Sequence, residues 1–361
     1  MFISNPSPSI LLQHLNHHTR TTILKSNSRI LLRTSTQRRL FTGDAYHNFK
    51  NFKNGHTIIK DFKNNSSSFV LSVSFEPKDR LKETTPSESD TLLKNYRRKI
   101  MNSNDAFGSP TGEDNYIMAY SEQGVIAGVL DGVGGWSEQG YDSSAISREL
   151  SDKVTSTYLQ HPEQPALQIL EDAFKQVKNE GIVEVGSTTI CYGIIDSKSL
   201  KMHALNLGDS WFGIFRQIDD HWKCIYESKE QTYYFNAPYQ LSIIPDEFLE
   251  NAKKKGSKYL MNEPNEAELY EYQLQSGDLV LFTTDGLIDN IVISDVSMYL
   301  DQNFDLELIG EVNTNLVSNV KSLSLNTHFK SVFSQRLSEI TGQDYVGGKP
   351  DDVTTVMVHV T

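Results

Sequence analysis

Cysteine is nearly missing: the 361 residues include only Cys191 and Cys224. Two alone make neither a zinc motif nor a disulfide framework, and a reducing compartment is the default expectation. Long apolar runs are missing too, and no stretch approaches the ~18–20 residues that a membrane span needs. Positive charge is scarce: 34 Lys and Arg face 46 Asp and Glu, for a net charge of −12. That balance argues against nucleic acid or an anionic membrane as the main partner. The GGK at 347–349 lacks the GxxxxGK[ST] frame of a phosphate-binding loop, and no serine or cysteine nucleophile motif is present.

Acids are absent from the first 43 residues, which carry Arg20, Arg29, Arg33, Arg38, Arg39 and Lys25. Those six positive charges leave −18 on the remaining chain. The segment is rich in Ser and Thr, and Leu11, Leu12 and Leu15 can share one face of a short helix. This is the composition of a mitochondrial transit peptide, and the alternative is a disordered basic tail. Arg38-Arg39-Leu40-Phe41 resembles the Arg-rich context where processing peptidases cut, so cleavage is expected near residues 41–43. Residues 44–68, dominated by Asn, Lys and Ser, read as a flexible linker. The folded domain is expected over 69–361.

What is present centres on residues 124–136, GVIAGVLDGVGGW. The apolar run 124–130 suits a strand buried on both faces. It ends in Asp131, followed by Gly132, Val133, Gly134 and Gly135. A carboxylate at the end of a buried strand is costly unless something positive compensates it, and glycines let backbone approach a ligand closely. The stretch therefore reads as an oxygen-rich cation site at a strand end, against the plain alternative of an Asp-Gly turn.

Strands are expected at 69–75, 115–120, 124–130, 188–195, 202–207, 211–215, 222–226, 270–274, 279–283 and 353–360. A helix capped by Asp142 or Ser143 carries Ile146, Leu150, Val154 and Tyr158 at i+4 spacing. A second follows Pro165 with a stripe of Ala166, Ile169, Leu170, Ala173, Phe174 and Val177, and ends at Gly181. Two more are expected near 306–325 and 332–340. Residues 228–266, with clusters of Tyr, Pro, Asn and Lys, read as a surface insertion over one edge, the kind of long segment that often serves as a lid. The order of strands, two helices, strands, two helices, strand argues for an α+β fold of antiparallel sheets with helices outside, not a βαβ repeat.

More acids sit where strands end: Asp209 in LGDS, Asp285 and Asp289 in TTDGLIDN, Asp351 beside Asp352, and Glu113-Asp114 before the second strand. Singly, each reads as a turn or cap residue. Jointly they cannot all ionise without cations, because like charges raise one another's pKa. Aspartates without His or Cys partners select hard ions, Mg²⁺ or Mn²⁺, over Zn²⁺. Two such ions about 3.5–4 Å apart can bind phosphate oxygens and activate a water for in-line attack on phosphorus.

With these motifs in order (GED at 112–114, DGVGGW at 131–136, GSTT at 186–189, LGDS at 207–210, TTDGLIDN at 283–290, GGKPDDVTT at 347–355) the chain resembles the metal-dependent protein phosphatase family, type 2C. DGVGGW with YFNAPYQLSI at 234–243 and GGKPDD resembles the family's mitochondrial branch, in agreement with the basic leader. The resemblance implies an α-β-β-α four-layer sandwich of two antiparallel sheets flanked by helices, with the metals at one edge. It implies that Asp131 bridges two Mn²⁺ or Mg²⁺ ions, that the Gly132 carbonyl binds the first, and that Asp285 and Asp351 bind the second. Glu113 and Asp114 would hold the ions' waters, and Asp209 and Asp289 match the pair that holds a weaker third ion in some members. The implied activity is a protein-serine/threonine phosphatase acting on phosphorylated proteins of the mitochondrial matrix, a branch associated with ubiquinone biosynthesis.

Two positions depart from the family pattern. Val133 stands where many members have a proton-donating His, and Ser109 where many have a phosphate-binding Arg. No Lys or Arg lies between Lys99 and Arg148, so any other cation for the phosphate must come from elsewhere, such as 228–266. These departures leave two further readings open: a module that binds phosphoproteins without turning them over, and a phosphohydrolase of small molecules. The sequence sets no oligomeric state.

Overall fold

The computed structural model describes residues 60–63, 68–78 and 110–361. The segment 1–43 read as a transit peptide lies outside the described residues, as does Ser109. The segment 44–68 read as a linker lies mostly outside them, but β1 (Lys60–Lys63) falls within it and corrects that reading. This strand pairs antiparallel with β2 (Ser68–Glu76) at the edge of a sheet. A short edge strand is held by backbone hydrogen bonds and tolerates charged residues, so its polar composition masked it.

The chain continues with β3 (Asp114–Tyr120), β4 (Gly124–Asp131), α1 (Gly135–Glu138), α2 (Ala145–Gln160) and α3 (Ala166–Glu180). Then come β5 (Gly186–Thr188), β6 (Ile190–Asp196), β7 (Lys201–Leu207), β8 (Trp211–Ile218) and β9 (His221–Glu227). Next are β10 (Thr232–Tyr234), β11 (Ala237–Pro238), β12 (Leu241–Ile243) and α4 (Asp246–Lys254). The last part holds β13 (Glu268–Gln273), β14 (Leu279–Thr283), α5 (Asp285–Ile288), α6 (Ile293–Asn303), α7 (Ile309–Ser324), α8 (Val332–Thr341) and β15 (Val353–Val360).

Two antiparallel sheets form the centre. One has the order β1-β2-β15-β14-β8-β9, the other β13-β7-β6-β4-β3. β4 shows why the sequence reads as it does. It lies between β3 and β6. Val125, Ala127 and Val129 face the core between the sheets, where Phe212, Phe282 and Val356 meet them. Ile126 and Leu130 face the second core, beneath α2 and α3. Successive side chains of a strand point to opposite faces, so covering both faces requires an unbroken apolar run. α7 covers β2 and β15 of the other sheet, and α6 covers β9. The result is the expected α-β-β-α arrangement.

The stripes of α2 and α3 are buried as expected, and Gly181 ends α3 with φ 64°. The strand expected over 188–195 is broken at Thr189. β6 stays in the five-stranded sheet, while β5 leaves it to pair with β12. That pairing also corrects the reading of 228–266 as a surface insertion. Leu241 on β12 is fully buried in the core beneath α2 and α3. Within this segment α4 buries no residue. A three-residue strand is too short to show periodicity, so only the partner strand reveals it.

Phe282 is fully buried between the sheets, its ring 5.7 Å from that of Phe212. We expect Phe282→Ala to cost about 3–5 kcal/mol through lost transfer energy and a residual cavity. Urea unfolding should show a lower midpoint at an unchanged slope; an unchanged midpoint would contradict this core assignment.

Candidate functional site

Strand ends from both sheets bring the acids together. β3 and β4 are in register with Asp114 opposite Asp131, so two carboxylates start as neighbours. In the other sheet Thr283 pairs with Thr355, which puts Asp285, just after β14, and Asp351, just before β15, at one edge. Thr283 also pairs with Trp211, so the turn carrying Asp209, between β7 and β8, arrives at the same edge. Asp209 links a strand of one sheet to a strand of the other.

Backbone contacts lock Asp131 in place. Its carbonyl accepts from Thr189 N–H and from Thr188 Oγ1, each at 2.9 Å. Gly132 N–H donates to the Glu113 carbonyl at 3.1 Å. A Cβ on Gly132 would come within 2.5 Å of the Ser143 carbonyl and 2.7 Å of that of Glu113. Only glycine permits this approach. Val133 N–H donates to the Ser187 carbonyl, so the position after the Asp-Gly pair serves as backbone support.

Carboxylate oxygens of Asp131, Asp209 and Asp285 all lie within 4.8 Å of one another. Lys349 enters the same cluster: its ammonium pairs with Asp285, with Asp289 at 2.6 Å and with Asp351 at 3.4 Å. Glu113 and Asp114 stand behind this group. The Glu113 carboxylate accepts from Ser143 Oγ, and its N–H donates to Asp352 Oδ2 at 2.8 Å. Asp114 Oδ2 accepts from Thr284 Oγ1 at 2.8 Å. The sequence reading named every acid but overlooked Lys349. A lysine among glycine, proline and aspartates in GGKPDD was its one available signal. Thr284 and Asp352 carry no role in the sequence reading, because the residues they bond, Asp114 and Glu113, are remote in sequence.

The electrostatics show a site with more acid than it can ionise. Burial, then Asp285, Asp114, Asp351 and Asp209, hold the Asp131 carboxyl well above the usual range. Burial and Asp285 do the same to Asp209, and burial and Asp352 to Asp114. Burial and Asp285 push Asp351 up to about 6 despite Lys349. Burial opposes the Lys349 charge, but Asp285, Asp289 and Asp351 outweigh it and raise its pKa well above the lysine value.

The donor set fits a hard divalent cation. It is all oxygen, it holds three carboxylates within reach of one point, and Asp209 Oδ1 is buried with no hydrogen-bond partner among the described residues. Such a set suits Mg²⁺ or Mn²⁺. A pH dependence follows. Because these acids have raised folded pKa values, the metal-free fold holds protons that the unfolded chain releases. Its stability therefore falls as pH rises above about 4, the Asp351 share being lost through about 6. A cation binds the ionised form, so its affinity changes in the opposite direction. We expect Mn²⁺ to bind about tenfold more weakly at pH 5.5 than at pH 7.5 by calorimetry. A flat profile would mean that the acids are not its ligands.

No protein-family model matches the chain. It is similar to protein phosphatase 2C homolog 7, mitochondrial, of Saccharomyces cerevisiae: 38% identity over 340 residues, covering 90% of this chain and 92% of that protein. It is also similar to the protein phosphatase PTC7 homolog fig of Drosophila grimshawi: 34% identity over 254 residues, covering 69% of this chain and 79% of that one. Among solved structures, the photosystem II phosphatase PBCP shares the fold at a TM-score of 0.60 and 19% identity, covering 81% of this chain and 99% of that one. With 38% identity across nine-tenths of its length, the chain belongs to the metal-dependent protein phosphatase family, type 2C, in the branch that contains these homologues.

Proposed function

We propose that the protein is a metal-dependent serine/threonine phosphatase that hydrolyses phosphoserine and phosphothreonine in proteins. The observation that carries this is the convergence of Asp131, Asp209 and Asp285 from both sheets onto one point. Asp131 and the Gly132 carbonyl would hold a first Mn²⁺ or Mg²⁺, and Asp131, Asp285 and Asp351 a second. Asp209 and Asp289 would serve a weaker third ion, and Glu113 and Asp114 would orient water at the first. When bound, such ions polarise phosphate oxygens and lower the pKa of water. The chain's own residues do the rest. The two sheets fix the carboxylates, and Lys349 offsets their charge, which would otherwise repel a phosphate dianion. Val133 cannot transfer a proton, and no histidine belongs to the acid cluster among the described residues, so the leaving alcohol's proton would come from water or from the Lys349 ammonium rather than from an imidazole.

The mitochondrial name of the yeast homologue and the acid-free leader support a place in the mitochondrial matrix. Its substrates would be phosphoproteins there, with enzymes of ubiquinone biosynthesis the first to test. Among the described residues no helix is long and apolar enough to cross a membrane.

The test is turnover of a phosphothreonine peptide in EDTA, then with Mn²⁺ or Mg²⁺, beside Asp285→Asn. Activity that needs metal and is lost in the variant is the expected result. Tight Mn²⁺ binding without turnover would replace this reading with a phosphoprotein-binding module. A preference for phosphorylated metabolites over phosphopeptides would replace it with a small-molecule hydrolase.

A further inference from the structure

Residues 253–258 read KKKGSK, four lysines in six positions of a chain with a net charge of −12. All six residues are exposed, and among the described residues none of these lysines makes an ion pair. Lys253 and Lys254 have a structural reason to be there. They occupy the last turn of α4, whose first turn carries Asp246 and Glu247, and this arrangement complements the helix dipole. Lys255 caps the helix and shares that reason, but Lys258 lies beyond it and does not. Both line a cavity of about 410 Å³ with Glu247, Phe248, Asn251 and Tyr259. The lining thus carries two lysines against one glutamate, together with two aromatic residues.

This cavity is tied to the acid cluster by a short chain of contacts. Tyr259, on its wall, stacks on Trp136 with centroids 5.6 Å apart. Tyr141 joins Trp136 edge-on and reaches Phe248, another wall residue. Trp136 Nε1 donates to Ser187 Oγ, which also bonds Ser242 Oγ on β12. Trp136 follows Asp131 by five residues, so at full extension their Cα atoms lie at most about 18 Å apart. An extended peptide covers that distance in five or six residues. A phosphorylated side chain at the aspartates would leave its flanking residues within reach of Trp136, and the stack on Tyr259 carries that surface on to the cavity wall.

We propose that the Lys255–Lys258 cavity docks an acidic stretch, rich in Asp and Glu, a few residues from the phosphorylated position of the substrate protein. This rests on the phosphatase reading above and names the substrate class it acts on. The occupant follows from charge complementarity: on a molecule whose net charge of −12 repels acidic segments in general, a lysine-lined cavity is a local place where carboxylates are attracted. The aromatic walls accept the aliphatic parts of the same segment. Exposed charge pairs are individually weak, so the effect is one of preference among substrates.

The test is the double charge reversal Lys255→Glu/Lys258→Glu in the full-length protein. Binding of a labelled, Glu-flanked phosphothreonine peptide is read by anisotropy, next to a Lys-flanked peptide, and Mn²⁺-dependent hydrolysis of p-nitrophenyl phosphate is measured alongside. The expected result is about tenfold weaker binding of the acidic peptide, a smaller salt dependence, no loss for the basic peptide, and p-nitrophenyl phosphate turnover within twofold of wild type. Unchanged binding of the acidic peptide would overturn the docking proposal, as would a parallel fall in p-nitrophenyl phosphate turnover, which would make the segment a support for the active site. Wild-type protein inert toward p-nitrophenyl phosphate would count against the phosphatase reading instead, and the peptide affinities would still decide the docking.

Discussion

Asp131→Ala is expected to reduce Mn²⁺-dependent turnover of a phosphothreonine peptide by about a thousandfold or more. The residue ends β4, faces Asp114 across the sheet, and shares the carboxylate cluster with Asp209 and Asp285. Removing it would take one charge from both of the first two ions proposed above, and metal-centred stabilisation of a phosphoryl transition state is worth several kcal/mol. The same substitution should not harm the metal-free fold. Asp131 is held well above its usual pKa by burial and by Asp285, so its ionised form is a burden to the folded state at neutral pH. Thermal unfolding separates the two effects: the metal-free midpoint should hold or rise, while the upward shift with Mn²⁺ shrinks. Near wild-type turnover in the variant would sink the two-ion assignment.

Gly286→Ala carries the next largest effect, through geometry rather than charge. A Cβ at this position would come within 1.9 Å of the Asp352 carbonyl oxygen and 3.0 Å of its carbon. That neighbour is backbone, so the chain itself must move. Gly286 follows Asp285, and Asp352 follows Asp351, so the displacement passes directly into two proposed metal ligands. Overpacking of this kind costs about 1–3 kcal/mol, and a misplacement near 1 Å can cost about a hundredfold in rate. We expect both, read by urea unfolding and by turnover at saturating Mn²⁺. Gly135→Ala is the control, since nothing lies within 4 Å of its added Cβ. If the two variants behaved alike, the close packing of α5 against the 351–352 turn would be wrong.

Much of this was legible in the residues themselves. The apolar run of β4 demanded cover on both faces, and the two cores supply it. The stripes of α2 and α3 predicted their buried faces because a 3.6-residue period is a local property. Each acid was marked by the end of an apolar run and a neighbouring glycine or strand. The less legible elements are those with too little local pattern to read. β1 and β12 are three or four residues long, so their existence depends on a partner strand rather than on a pattern. α6 was missed because its apolar positions are few: only Val296, Tyr299 and Leu300 are buried.

Residue chemistry and local pattern were enough for the donor set of aspartates without histidine or cysteine, for a strand order that makes antiparallel sheets, and for a charge balance that argues against a polyanion as the main partner. Only the tertiary structure decided which acids meet. Asp131 and Asp285 are 154 residues apart, and the register of four strands around them brings their oxygens within 4.8 Å. It also decided that Lys349 sits among Asp285, Asp289 and Asp351, and that Lys255 and Lys258 share a cavity whose aromatic wall stacks on the glycine loop's Trp136. The physical reason is range. Hydrophobic period and residue chemistry act over a few positions, whereas charge acts through space and has no meaning until the chain has brought its partners together.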